Sequence, residues 1–159
     1  MLLGAAHGAL VARSDPLESE CTSGALIKHE TAYVVGTEDG ELEIFRVGDW
    51  ADPVGRLSVH GDAGVQAMVA LDEQRIITAA DDGLLRLVSI EPSRFETVLG
   101  EHPEVPIERI ALTPDHRLLA SIGHDEMLMF TDVAFLVDES VQRPAAPVSE
   151  RRQFFQALD

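Results

Sequence analysis

The sequence predicts an all-β protein: a β-propeller fragment of about three four-stranded antiparallel blades, with one leftover strand before them and a flexible C-terminal tail. Three observations predict it. Three segments superpose: Tyr33–Phe45 (YVVGTEDGELEIF), Ile76–Val88 (IITAADDGLLRLV) and Leu119–Thr131 (LASIGHDEMLMFT). Their turn aspartates Asp39, Asp82 and Asp125 are spaced by 43 residues. In a second register His60 and His102 lie 42 residues apart, each shortly before an apolar alternation. Finally, Asp39-Gly40 and Asp82-Gly83 are two-residue turns between apolar runs, the strongest short-range hairpin signal.

Each element follows from these registers. Residues 1–21 hold a remnant outer strand at Ala9–Arg13 and a linker. Residues 22–59 form the first blade, with its outer strand at Val54–Val59. Residues 60–101 form the second, with an inner strand near 65–70 and an outer strand at Phe95–Leu99. Residues 102–137 form the third, with an inner strand near 107–112. After each turn, Leu42/Ile44, Leu85/Leu87 and Leu128/Phe130 recur at period two, as on a strand with one buried face. In the third turn Asp125 is followed by Glu126, so a longer or non-glycine turn is needed. Pro92, Pro103, Pro106 and Pro114 fall between the runs, where they break no central strand. Residues 138–159 are a linker and short tail: Pro144-Ala145-Ala146-Pro147 reads as linker, and Ser149 is positioned to cap a helix with Phe154, Phe155 and Leu158 as its apolar stripe. Ten residues are too few for a stable isolated helix, so this is a docking segment, with those three residues as partner contacts, or a frayed tail.

Composition narrows the function. The 159 residues are 45% hydrophobic and 25% charged, as in ordinary globular proteins. Twelve basic against 28 acidic residues leave a formal charge of −16, and Lys28 is the lone lysine. Phosphate backbones need clustered Lys and Arg, so direct nucleic-acid binding is not expected, and a basic protein partner is. No apolar run approaches the roughly 20 residues of a membrane span. The start lacks the basic and apolar regions of a secretory signal. Cys21 has no partner for an internal disulfide and the sequence holds no Asn for glycosylation, so a reducing intracellular compartment is expected.

In WD-type blades a His before the inner strand, a Ser or Thr on the next strand and the turn Asp can form one buried hydrogen-bond network. Two such sets are present, His60–Thr78–Asp82 and His102–Ser121–Asp125, each with its hydroxyl four residues before the Asp. Buried polar atoms beside a tight turn must be paired, so both sets read as scaffolding, with no catalytic, metal or cofactor role. The Trp that normally closes such a network is replaced in register by Phe45, Val88 and Thr131. Ser121, His124 and Asp125 are too local for a Ser-His-Asp triad. The six His and one Cys lack zinc spacing, Glu38-Asp39 and Asp81-Asp82 lack calcium-loop spacing, and no glycine loop cradles phosphate. Trp50 either anchors a partner or packs over its own blade edge.

The stretch Asp15–Val133, about three quarters of the chain, resembles the last three blades of the WD repeat-containing protein 55 family, WD40 propellers found across eukaryotes. The resemblance rests on Thr22–Leu26, Tyr33–Leu42, Asp82–Arg86, Gly100–His102, Pro106–Leu112 and above all Leu118–Glu126. Phe154–Leu158 is similar to a short aromatic motif near that family's C-terminus. The family's long basic stretch after the last blade is reduced here to Arg143, Arg151 and Arg152. The resemblance implies a non-enzymatic scaffold of the nucleolus and nucleus, acting in large ribosomal subunit biogenesis and pre-rRNA processing. Its implied partners are assembly factors or ribosomal proteins. The alternatives are a substrate receptor of a cullin-4 ubiquitin ligase or a generic WD40 adaptor. The ligase role often uses Trp-Asp followed two residues later by Arg, whereas here Asp132 precedes Val133-Ala134. Closed propellers typically have 4–8 blades, so three are expected to be a fragment or to need further blades or another chain.

Overall fold

A computed structural model describes residues 8–138. Three antiparallel sheets follow one another along the chain. The first contains β1 (Cys21–Ile27), β2 (Ala32–Thr37), β3 (Glu41–Arg46) and β4 (Gly55–Ser58) in sequential order. The second contains β5 (Val65–Ala70), β6 (Arg75–Ala80), β7 (Leu84–Ile90) and β8 (Ser93–Glu101). The third contains β9 (Ile107–Leu112), β10 (Leu118–Gly123) and β11 (Leu128–Asp132), after which a short 3-10 turn covers Ala134–Leu136. These are the blades that the 43-residue period requires.

Two expectations are corrected. The third sheet has three strands among the described residues, so β11 keeps a free edge where the other sheets carry β4 and β8. The remnant strand at Ala9–Arg13 does not form; these residues are exposed and without strand structure. A strand needs a neighbour for its backbone donors and acceptors, and among the described residues none pairs with this segment. The expected helix of Phe154, Phe155 and Leu158 lies outside the described residues.

The blades stack face to face, and the two apolar clusters sit between them. Ile27, Val34, Leu42 and Ile44 of the first blade meet Val65, Met68, Ile76 and Val88 of the second. From the other face of the second blade, Ala67, Ile77, Ala79, Leu85 and Leu87 meet Ile107 and Leu119 of the third. Adjacent residues Ile76 and Ile77 therefore serve different clusters, because successive side chains on a strand point to opposite faces. This is why β6 and β7 are buried at every position after the first, while β11 alternates between half-buried and exposed. Ser23 of β1 ties the first two blades by donating to the Val65 carbonyl of β5 at 2.7 Å.

The loop entering each following blade seats on the Asp-Gly turn of the blade before it. The His102 amide donates to the Gly83 carbonyl at 2.8 Å. A Cβ on Gly83 would lie 2.3 Å from the His102 oxygen, and one on Gly40 would lie 2.5 Å from the Gly61 oxygen. Both glycines also have positive φ, 81° at Gly40 and 76° at Gly83. They are required twice over, by backbone conformation and by the neighbouring loop. Glu126 takes the same place in the third turn at φ 58°, so a side-chain-bearing residue adopts the left-handed conformation there.

Gly83→Ala is expected to destabilise by about 2–4 kcal/mol in urea titration, since strain and overpacking add. Gly48→Ala, also at positive φ but with nothing within 4 Å of its Cβ, isolates the conformational part at about 1 kcal/mol. Equal losses in the two variants would exclude the close approach as the cause.

Candidate functional site: polar networks at the blade turns

The three blades place different residues four positions after the turn aspartate, namely Glu43, Arg86 and Met129. That position differs in charge from blade to blade. It lies on the third strand of the turn's own blade, directly opposite the residue four before the aspartate: Glu43 faces Val35, Arg86 faces Thr78 and Met129 faces Ser121.

In the third blade Met129 has no charge, and the expected network forms complete. The buried His102 ring lies 2.6 Å from Asp125 through Nδ1 and 2.8 Å from the Ser121 hydroxyl through Nε2. A carboxylate accepts, so Nδ1–H donates to Asp125 and the Ser121 hydroxyl donates to Nε2. Asp125 also accepts the Met127 amide at 3.2 Å. Partial burial pushes its carboxyl up, but the bonds from His102 and Met127 hold it below the usual aspartate range overall.

In the second blade the network is cut short, which corrects the expected His60–Thr78–Asp82 set. Thr78 does bond His60 Nε2, at 2.8 Å. Asp82, however, is taken by the mostly buried Arg86 guanidinium in a two-point pair, with Nη1 at 3.0 Å from Oδ1 and Nη2 against Oδ2. A charged fork outcompetes a neutral imidazole for a carboxylate. His60 Nδ1–H turns to the Gly40 carbonyl at 3.2 Å and links the second blade to the first. Burial, reinforced by the Arg86 charge, lowers the His60 pKa to about 4, against smaller opposing contributions from Gly40 and Asp82. Arg86 was missed because it has no place in the repeat pattern. Its i,i+4 spacing from Asp82 was the available signal.

The first blade has Val35 where the others have a hydroxyl, so no network of this kind can form there. Thr37 caps its own turn by accepting the Glu41 amide at 3.1 Å, and Asp39 stays exposed. Glu43 is buried and accepts from Arg56 of β4 at 2.8 Å. Among the described residues its Oε2 is the buried side-chain oxygen or nitrogen with no hydrogen-bond partner. Glu43 raises the Arg56 guanidinium above its ordinary value; partial desolvation opposes this, and Glu41 and Glu18 add to it.

Trp50 is half-buried and meets the Tyr33 ring of β2 edge-on, with centroids 6.4 Å apart. The contact rests Trp50 against its own blade. Asp132 accepts the Ala134 amide at 2.9 Å, and Val133 after it is fully buried. No group of three or more His, Cys, Asp or Glu among the described residues is placed to hold a metal ion.

No family model matches the chain. Individual relatives do. It is 38% identical over 128 residues to WD repeat-containing protein JIP5 of Cryptococcus neoformans, covering 80% of this chain and 34% of that protein. It is 33% identical over 128 residues to WD repeat-containing protein 55 of Arabidopsis thaliana, covering 80% of this chain and 36% of the relative. The human protein of the same name is 32% identical over 123 residues, with 77% and 32% covered. The chain thus spans about a third of the length of these curated relatives.

Two measurements check the networks. Ser121→Ala is expected to cost about 1–3 kcal/mol, because it leaves a buried imidazole nitrogen unpaired. For His60 the unfolded chain binds its proton near pH 6.5 and the folded chain near 4. Its contribution is therefore full above pH 6.5 and lost as pH falls toward 4, with a slope of at most about 1.4 kcal/mol per pH unit. NMR titration of Arg86→Met should show the His60 pKa rising from about 4, since that variant removes the charge that lowers it.

Proposed function

We propose that this chain, which belongs to the WD repeat-containing protein 55 family, acts as a non-catalytic protein-interaction scaffold in nucleolar biogenesis of the large ribosomal subunit and in pre-rRNA processing. The observation that carries the scaffold part is how the chemically capable side chains are used. Both ring nitrogens of His60 and of His102 are hydrogen-bonded inside the blades, and the hydroxyls of Thr78 and Ser121 bond to them. These groups hold turns and loops together and present no nucleophile or base to a substrate. Relatedness to the WD repeat-containing proteins supports the cellular role, and the charge of −16 supports a basic partner.

The open blades support a complete propeller in which further blades, of this chain's full-length protein or of another chain, cover the third sheet. Its outward face carries Ile122, Leu128 and Phe130, which are 42%, 61% and 63% exposed, beside the free edge of β11. Such an edge invites pairing unless it is covered.

Affinity capture of the tagged protein from nuclear extract is expected to recover large-subunit assembly factors, and its depletion to accumulate unprocessed large-subunit precursor RNA. Recovery of a cullin-4 ligase adaptor without those factors would assign the alternative role, and normal precursor processing after depletion would reject the proposed one.

A further inference from the structure

The third blade lacks a fourth strand among the described residues, and the chain carries a segment of strand length that is unused. Residues 9–13 form no strand pairing; Leu10 is 83% exposed and Val11 97%. Their distance from the next blade is that of a fourth strand. Six residues, 59–64, separate β4 from β5, and five, 102–106, separate β8 from β9. Seven, 14–20, separate residue 13 from β1. In both four-stranded blades the fourth strand thus leads directly into the first strand of the blade stacked next. By the same connection, residues 9–13 belong to a blade seated on the outward face of the first.

The two outward faces correspond to those that meet between the blades. Leu42 and Ile44 cluster with Ile76 and Val88 of the next blade, a pair that face each other across β6 and β7. Leu85 and Leu87 cluster in the same way with Leu119 of the third blade. Leu128 and Phe130 hold the corresponding places in the third blade and are 61% and 63% exposed. In the first blade the places of Ile76 and Val88 are held by Tyr33 and Phe45, which face each other across β2 and β3. Trp50 rests on Tyr33, and Leu26, opposite Tyr33 on β1, is 45% exposed. An exposed apolar stripe on the last blade therefore has an aromatic counterpart on the first. Exposed stripes of this kind mark contact surfaces, and an open edge such as β11 invites a strand.

We infer that two copies of this 159-residue chain close one ring of six blades, with residues 9–13 of each copy pairing with β11 of the other as its fourth strand. The third blade of each copy then packs on the first blade of its partner. The occupant is a second copy because the chain carries both halves of the contact, the spare strand and the incomplete blade. One copy cannot join them, since its second blade stands between the first and the third. A head-to-tail contact made twice about a two-fold axis closes, and six blades lie within the usual range for propellers. The inference rests on the reading that the open third face is covered, and it names what covers it.

The test is the mass of the full chain by light scattering, joined to hydrogen exchange of the β11 amides. The expected mass is twice 17.3 kDa, with protection of those β11 amides that do not bond β10. The double variant Val11→Pro/Ala12→Pro should weaken the dimer about a hundredfold or more, because one of two neighbours on an edge strand must donate to the sheet. Both residues are exposed and outside any strand, so the single chain folds without them. Phe130→Asp should weaken the dimer as well. Mixing the two variants should restore dimers, since one intact contact forms between the β11 edge of the first and the spare strand of the second. An assembly of more than two copies, or a dimer unaffected by the proline pair, would overturn the inference. A monomer with protected β11 amides would reject the second copy and leave the covering of that face standing. A monomer with unprotected ones would reject both for this chain. A dimer with failed capture of assembly factors would reject the cellular role and leave the ring.

Discussion

A sheet of short strands with apolar side chains on both faces must be covered on both faces, and everything else in this fold depends on that. The second blade meets the requirement fully, because the first blade covers one face and the third covers the other. Burial of this kind is worth about 25 cal/mol per Å² of apolar surface, which makes the two inter-blade clusters the principal source of cohesion. The third blade meets it on one face only. Leu119 and Ser121 are buried against the second blade, while Ile122, Leu128 and Phe130 face outward. The same constraint explains why β6 and β7 of the middle blade are buried on both faces and β11 is not.

Close stacking then forces the turns into contact. Because the blades approach tightly, the loop entering one blade lies on the turn of the blade before it, and only glycine leaves room at positions 40 and 83. His60 and His102 sit in those loops and are buried by the same approach. Their ring nitrogens must then find partners. The hydroxyls of Thr78 and Ser121 supply one each, and Gly40 or Asp125 supplies the other. The polar networks are thus a consequence of the packing, which they in turn hold in register.

Much of this was legible beforehand. The period of the turn aspartates placed all three blades, and alternation after each turn placed β3, β7 and β11. The His–hydroxyl pairs were legible because they recur at fixed offsets. The rest was not, for physical reasons that differ by residue. Ala9–Arg13 has apolar residues suited to a strand, but pairing needs a neighbour that no local pattern reveals. Arg86 and Glu43 look like ordinary strand charges. Their roles depend on which carboxylate or guanidinium the fold brings within reach, Asp82 across one turn and Arg56 across one strand pair.

By itself the sequence determined the architecture: an all-β chain of repeated hairpins whose aspartates and glycines set the turns. Short-range rules govern those features, since turn conformation and strand alternation act over a few residues. Tertiary structure alone decided which of the turn aspartates keep the partner that the spacing predicts. Asp125 holds His102, Asp82 is claimed by Arg86, and Asp39 is left facing an acidic recess with Glu43. The reason is competition: hydrogen bonds and ion pairs go to whichever group the packing brings closest, and that is a property of strands brought side by side rather than of the order in which they are written.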